Sequence, residues 1–212
     1  MVVAKATNKR ALNYESKIKI TGSIPDDIDV SAGKKEASSN NSIDEVLNDK
    51  SLKAKQKVVL ISELLINRRI SIEQLIASAK NKNDTSKATV LEAMEFASKT
   101  KAEIINSKAF EFVIDSLKSD APRVKWESAK VIANTAHLFL GLLKKAIPGL
   151  LDNTDHSGNV VRWSAASALS KIIQCKTELN RELIPAIEAI EKREKDTAIK
   201  KIYQQGLKKA SK

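Results

Sequence analysis

The stretch Val124-Lys125-Trp126, followed by Ala129, Val131 and Ile132, returns as Val161-Arg162-Trp163, followed by Ala166, Ala168 and Leu169. The offset is 37 residues. A chain that writes one amphipathic helix twice at this spacing is building stacked helical units, none of which can bury its apolar face without a neighbour. The repeat therefore dictates a helical array, and it limits function as well, because such arrays expose long surfaces to partners.

The composition agrees with that fold. With 42% hydrophobic but only 4% aromatic residues, the core has to come from Leu, Ile, Val and Ala, which suits close helix packing. A length of 212 residues accommodates about five helix pairs. No segment approaches the roughly 20 apolar residues of a membrane span, and residues 1–14 lack the apolar run of a signal peptide, so a cytosolic chain is expected. The single Cys175 has no Cys or His neighbour at metal-ligand spacing and reads as a reduced structural thiol; no metal or cofactor is expected.

Residues 1–41 show no helical periodicity and are rich in turn chemistry, as in Thr21-Gly22-Ser23 and Ile24-Pro25-Asp26-Asp27. They are expected to be a flexible, mostly disordered tail, with the alternation Lys17-Ile18-Lys19-Ile20 as extended coil. From Ser42 the apolar residues fall three and four apart, the signature of amphipathic helices, so residues 42–212 form the expected domain. Ser42 with Glu45 offers a capping box. Ser71 caps the helix of Ile72, Leu75, Ile76 and Ala79, Asp84 or Thr85 caps the next, and Ser107 opens the one carrying Phe110, Val113 and Ile114.

With Val124-Lys125 as a register mark, equivalent dipeptides stand at Leu52-Lys53, Ser86-Lys87, Val161-Arg162 and Ile199-Lys200, in steps of 34, 38, 37 and 38 residues. Each second helix thus begins near a basic residue. Upstream of each stands an aspartate: Asp49, Asp84, Asp120, Asp155 and Asp196. A carboxylate in that turn can cap the helix and meet the basic residue, which predicts a structural ladder of Asp120 with Lys125, Asp155 with Arg162 and Asp196 with Lys200. Pro148 and Pro185, also 37 residues apart, sit in the first helices of the last two pairs.

In these features the chain resembles the HEAT repeat family and the shorter HEAT-like units of phycobilin lyases. The fourth unit carries the family's Pro, Asp and basic residue as Pro148, Asp155 and Arg162, whereas units one and two lack the Pro and have Ala54 and Ala88 at the Trp positions. The resemblance covers roughly residues 42–212. It implies an all-α, right-handed α-solenoid of about five HEAT-like helix pairs whose second helices line a concave face. It implies no chemistry.

On the two Trp helices the buried stripe should be Val124, Ser128, Val131 and Ile132, then Val161, Ala165, Ala168, Leu169 and Ile172. The indoles fall off that stripe. Two arrangements follow: Trp126 and Trp163 anchor a partner on the concave face, with Lys130, Asn134 and Lys171 supplying polar contacts, or each indole packs against the neighbouring repeat.

The net charge of +11 makes nucleic acid the alternative partner. Residues 192–212 hold eight basic side chains against Glu194 and Asp196, so Lys200, Lys201, Lys208 and Lys209, with Lys9 and Arg10, would be the phosphate contacts. Lysines in a last helical turn also complement the helix dipole.

Catalysis is not expected. His137 and His156 are the only histidines, and neither belongs to a recognisable triad. The chain is similar in outline to HEAT-like DNA glycosylases that remove alkylated bases, but one helical turn after each Trp stands Lys130 or Ser167 rather than a catalytic carboxylate. The expectation is a monomeric, non-catalytic protein-interaction scaffold.

Overall fold

The computed structural model describes residues 43–80 and 82–212. The expected tail at 1–41, its alternation at 17–20, Lys9, Arg10 and the cap at Ser42 lie outside them. Among the described residues there are ten α-helices and no strand. They are α1 (43–48), α2 (Ala54–Ile66), α3 (Ile72–Lys80), α4 (Asp84–Thr100), α5 (Ser107–Ser116), α6 (Pro122–Thr135), α7 (Leu143–Asn153), α8 (Asn159–Ile173), α9 (Asn180–Arg193) and α10 (Thr197–Ala210).

The even-numbered helices pack on one another in chain order as a continuous layer. The odd-numbered helices form the second layer, with sparser mutual contacts. Ile43 and Leu47 place α1 in the common core, and Asp44 joins it to α3 through the Ser78 hydroxyl (2.6 Å) and Lys82 (3.2 Å). The result is an all-α solenoid of five helix pairs, more densely packed along its second-helix layer.

Local chemistry explains the helix boundaries. At α3 the Ser71 hydroxyl accepts the Gln74 N–H (3.1 Å) while the Gln74 side-chain oxygen accepts the Ser71 N–H (2.8 Å), a reciprocal cap. Two caps differ from the sequence expectation. Asn83, not Asp84 or Thr85, caps α4 by accepting the Ser86 N–H (2.9 Å), and Asn106, not Ser107, caps α5 by accepting the Ala109 N–H (2.9 Å). An asparagine amide oxygen serves as well as a carboxylate there, and it frees Asp84 to face the helix dipole from inside the first turn.

Every member of the expected Trp-helix stripes is buried, from Val124, Ser128, Val131 and Ile132 to Val161, Ala165, Ala168, Leu169 and Ile172. Burial of such aliphatic side chains, at about 25 cal/mol per Å2, is what joins the units. The last junction is especially close: a Cβ on Gly206 of α10 would lie 2.5 Å from the Ser170 side chain of α8. Only glycine permits that approach.

Candidate functional site

The ladder forms with different partners from those expected. Lys125 donates to the Leu117 carbonyl (3.2 Å) and to the Asn153 side-chain oxygen (3.0 Å), not to Asp120 or Asp155. Arg162 donates from Nε to Glu194 (3.1 Å) and from Nη1 to the His156 carbonyl (3.1 Å). Asp155 instead pairs with Arg193 (2.8 Å). Asp196 caps α10 by accepting the Ala198 and Ile199 N–H groups, and Lys200 lies 3.9 Å from Glu191. The physical reason is reach. A basic side chain at the start of a second helix extends across the interior of its own turn, where loop carbonyls and the end of the next first helix stand, while the aspartates sit on the outer rim.

Glu194 records that environment. Burial pushes its carboxyl up, but the Asp196 N–H and the Arg162 guanidinium outweigh it and hold the group below its ordinary range. Lys125, Arg162 and Lys200 thus meet acceptors within the fold, and Lys87 lies over the Phe112 ring, 5.6 Å from its centroid.

Of the expected partner contacts, two are occupied internally. The Lys130 ammonium bridges Glu127 (3.0 Å) and Glu95 (3.4 Å), and the Asn134 amide donates to the Glu95 carbonyl (3.2 Å) and the Ser98 hydroxyl (3.1 Å). Both tie α6 to α4 rather than project from the surface. The Trp126 indole is half-buried and its N–H donates to Glu127 (2.7 Å). Glu95 and Glu127 are buried, and one ammonium serves both. Burial pushes the Glu127 carboxyl up against the pull of Lys130 and Trp126. Burial also opposes the Lys130 charge, but Glu127 and Glu95 outweigh it and raise the ammonium.

Trp163 is different. It is 43% exposed beside Val160, at 52%, and lines an apolar cleft of about 190 Å3 between α8 and the start of α10, with Ala198 and Ile199 opposite. Lys171, two turns further along the same face, is exposed. Lys201, Lys208 and Lys209 are exposed on α10, whereas Lys200 is half-buried. The His156 ring accepts the Gly158 N–H (2.9 Å) and shapes its turn. Among the described residues no group of His, Cys, Asp or Glu side chains could hold a metal ion, and no helix is long and apolar enough to cross a membrane.

Several residues of this face escaped the sequence reading. Glu92 receives Arg123 (2.5 Å), Glu95 and Glu127 bracket Lys130, and Phe96 is 41% exposed on α4. A signal for the acid cluster was present: Glu127 lies three residues before Lys130, on one helical face. Nothing in the local pattern pairs Glu95 with a lysine 35 positions later.

No family model and no curated protein matches the chain. Solved structures do. The designed armadillo repeat protein YIII(Dq)4CqI matches with a TM-score of 0.63 at 17% identity, over 79% of this chain and 80% of that one. A designed armadillo repeat protein in complex with peptide (KR)4 matches at 0.62 and 17%, over 82% of each chain. The complex of CpcE and CpcF of phycocyanin lyase from Nostoc sp. PCC7120 matches at 0.62 and 15%, over 78% of this chain and 98% of that one. At these identities the likeness is one of fold, and the chain has the armadillo- and HEAT-like helical-repeat fold.

Proposed function

We propose that this chain is a non-catalytic protein-binding module that takes its partner on the second-helix, concave face, with Trp163 as the anchor. The observation that carries the reading is an indole left 43% exposed, beside the exposed Val160, at the edge of an apolar cleft of about 190 Å3. Aromatic side chains at the edge of such a cleft concentrate binding energy. The peptide-bound designed repeat protein is a precedent for the fold, not for the ligand. Trp126, with its N–H committed to Glu127, is a secondary contact. The module spans residues 42–212 and acts as a monomer in the cytoplasm.

Selection of random peptides on the immobilised full chain, followed by affinity measurement, tests this. Selected peptides are expected to lose about tenfold or more on Trp163→Ala with the fold intact by circular dichroism. Selected peptides that bind Trp163→Ala as well as the parent would remove the anchor, and failure to select any would remove the module.

A second reading rests on Lys201, Lys208 and Lys209, which are exposed and make no ion pair with a described residue. They would hold a phosphate backbone. Binding of oligothymidylate that falls steeply between about 50 and 200 mM salt would favour it.

A further inference from the structure

The C-terminal ends of α4, α6 and α8 enclose a groove of about 580 Å3. Small side chains from the middle of it, Ala102, Ala133 and Ala136, leave the space, while Lys99 and Lys101 flank it at the end of α4 and Lys171 on α8. The short side chains of Ala133 and Ala136 leave the depression between the longer side chains of Lys99 and Lys171. All three lysines are exposed, and none makes an ion pair with a described residue. Among the described residues Glu103 is the only carboxylate lining the groove, against three lysines, so their balance is positive. Burial pushes the Cys175 thiol up, which keeps it protonated and uncharged there.

The uncharged walls offer amide oxygens as acceptors. The Asn134 amide N–H groups are taken by Glu95 and Ser98, and the Gln174 amide donates to the Ser170 carbonyl, so both side chains turn carbonyl oxygens to spare. A ligand that satisfies this groove must bring carboxylates for the lysines and N–H donors for the carbonyls. A peptide backbone with acidic side chains brings both. A phosphodiester backbone brings no N–H donors for those carbonyls.

We propose that this groove binds an extended acidic segment of a protein partner, its carboxylates held between Lys99, Lys101 and Lys171. The inference rests on the reading of the second-helix face as a protein-binding surface and names the class of partner. Crossing three helices at interaxial distances of about 9 Å spans about 18 Å, or roughly six residues of extended chain.

The test uses the full chain and a fluorescein-labelled peptide of alternating Asp and Leu, roughly eight residues long. The comparison probes are the matched Asn-Leu peptide and labelled oligothymidylate. The acidic peptide is expected to bind at least about tenfold tighter than the Asn-Leu control, and the Lys99→Glu, Lys171→Glu double variant to lose at least about tenfold. Ala133→Leu, which fills the floor without changing charge, is expected to lose at least about tenfold as well. Lys208→Glu with Lys209→Glu should stay within about twofold. Equal loss from the α10 lysines would reveal a general field and overturn the groove, as would indifference to Ala133→Leu. Tighter, lysine-dependent binding of oligothymidylate would replace the acidic peptide by a phosphate backbone. Absence of acidic-peptide binding alongside Trp163-dependent selected peptides would remove this inference alone; loss of Trp163 dependence with the acidic peptide still bound would remove only the anchor.

Discussion

Where α6 carries Glu127, Lys130 and Asn134, α8 carries Ser164, Ser167 and Lys171 at the same repeat positions. The two helices share their apolar stripe, their leading basic residue and their indole. They differ in what surrounds the indole. On α6 the polar positions are turned inward, with Glu127 and Lys130 joined to Glu95 of α4 and to the Trp126 N–H. On α8 the serine at 164 closes on its own helix, donating to the Val161 carbonyl (2.9 Å), and the Trp163 ring stays in solvent. Duplication thus preserves the packing surface while a few polar substitutions decide whether the adjoining face is consumed by the neighbouring repeat or left for a partner.

Moving the α6 chemistry onto α8 is the harshest way to break the comparison. Ser164→Glu places a larger, charged side chain at a fully buried position, so a loss of about 4 kcal/mol is expected in urea unfolding. Adding Ser167→Lys restores the spacing of Glu127 and Lys130 but not the second acid, because the residue one repeat on from Glu95 is Ala133. Recovery should be about 1 kcal/mol. Full recovery would show that the helix alone, not the α4–α6 junction, sustains the charged cluster.

The reverse experiment removes the shared cation. Lys130→Met keeps the aliphatic stem against the helix but leaves Glu95 and Glu127 buried without their ammonium, and about 3 kcal/mol should be lost. Lys171→Met, on the exposed α8 position, should change stability by less than about 0.5 kcal/mol in the same assay. Equal effects from the two lysines would erase the distinction between a consumed face and a free one.

How much of this was legible in the sequence follows from what carries each feature. The repeat, the helix pairs and the buried stripe are written in apolar spacing, and each of those stripe residues is buried. The ladder was legible as a set of basic residues but not as a set of bonds. Lys125 chose Asn153 and Arg162 chose Glu194 because side-chain reach across a turn depends on how two helices meet, which local spacing does not encode. The same limit hid the engagement of Lys130 and Asn134. A polar strip on one helix looks solvent-facing until the neighbouring helix supplies Glu95 and Ser98. Phe96 stays exposed because its own helix has enough apolar residues to fill the stripe without it.

The two junctions should also answer acid in opposite directions. The Glu127 carboxyl is raised in the folded chain above 4.5, so its contribution to stability is complete below that value and is lost as the pH rises through the folded pKa. The Glu194 carboxyl is lowered from 4.5, so its contribution is present above that value and is lost as the pH falls through the folded pKa. Each slope stays below about 1.4 kcal/mol per pH unit, the limit for one proton. Stability measured by urea against pH, for the parent and for Glu127→Gln and Glu194→Gln, separates them by subtraction. The parent's advantage over Glu194→Gln should shrink on acidification below 4.5, and its advantage over Glu127→Gln should shrink on raising the pH above 4.5. Parallel curves for the two variants would mean that one ammonium suffices for two buried acids, and α6 would then hold α4 by the same kind of paired charge with which Arg162 holds the end of α9.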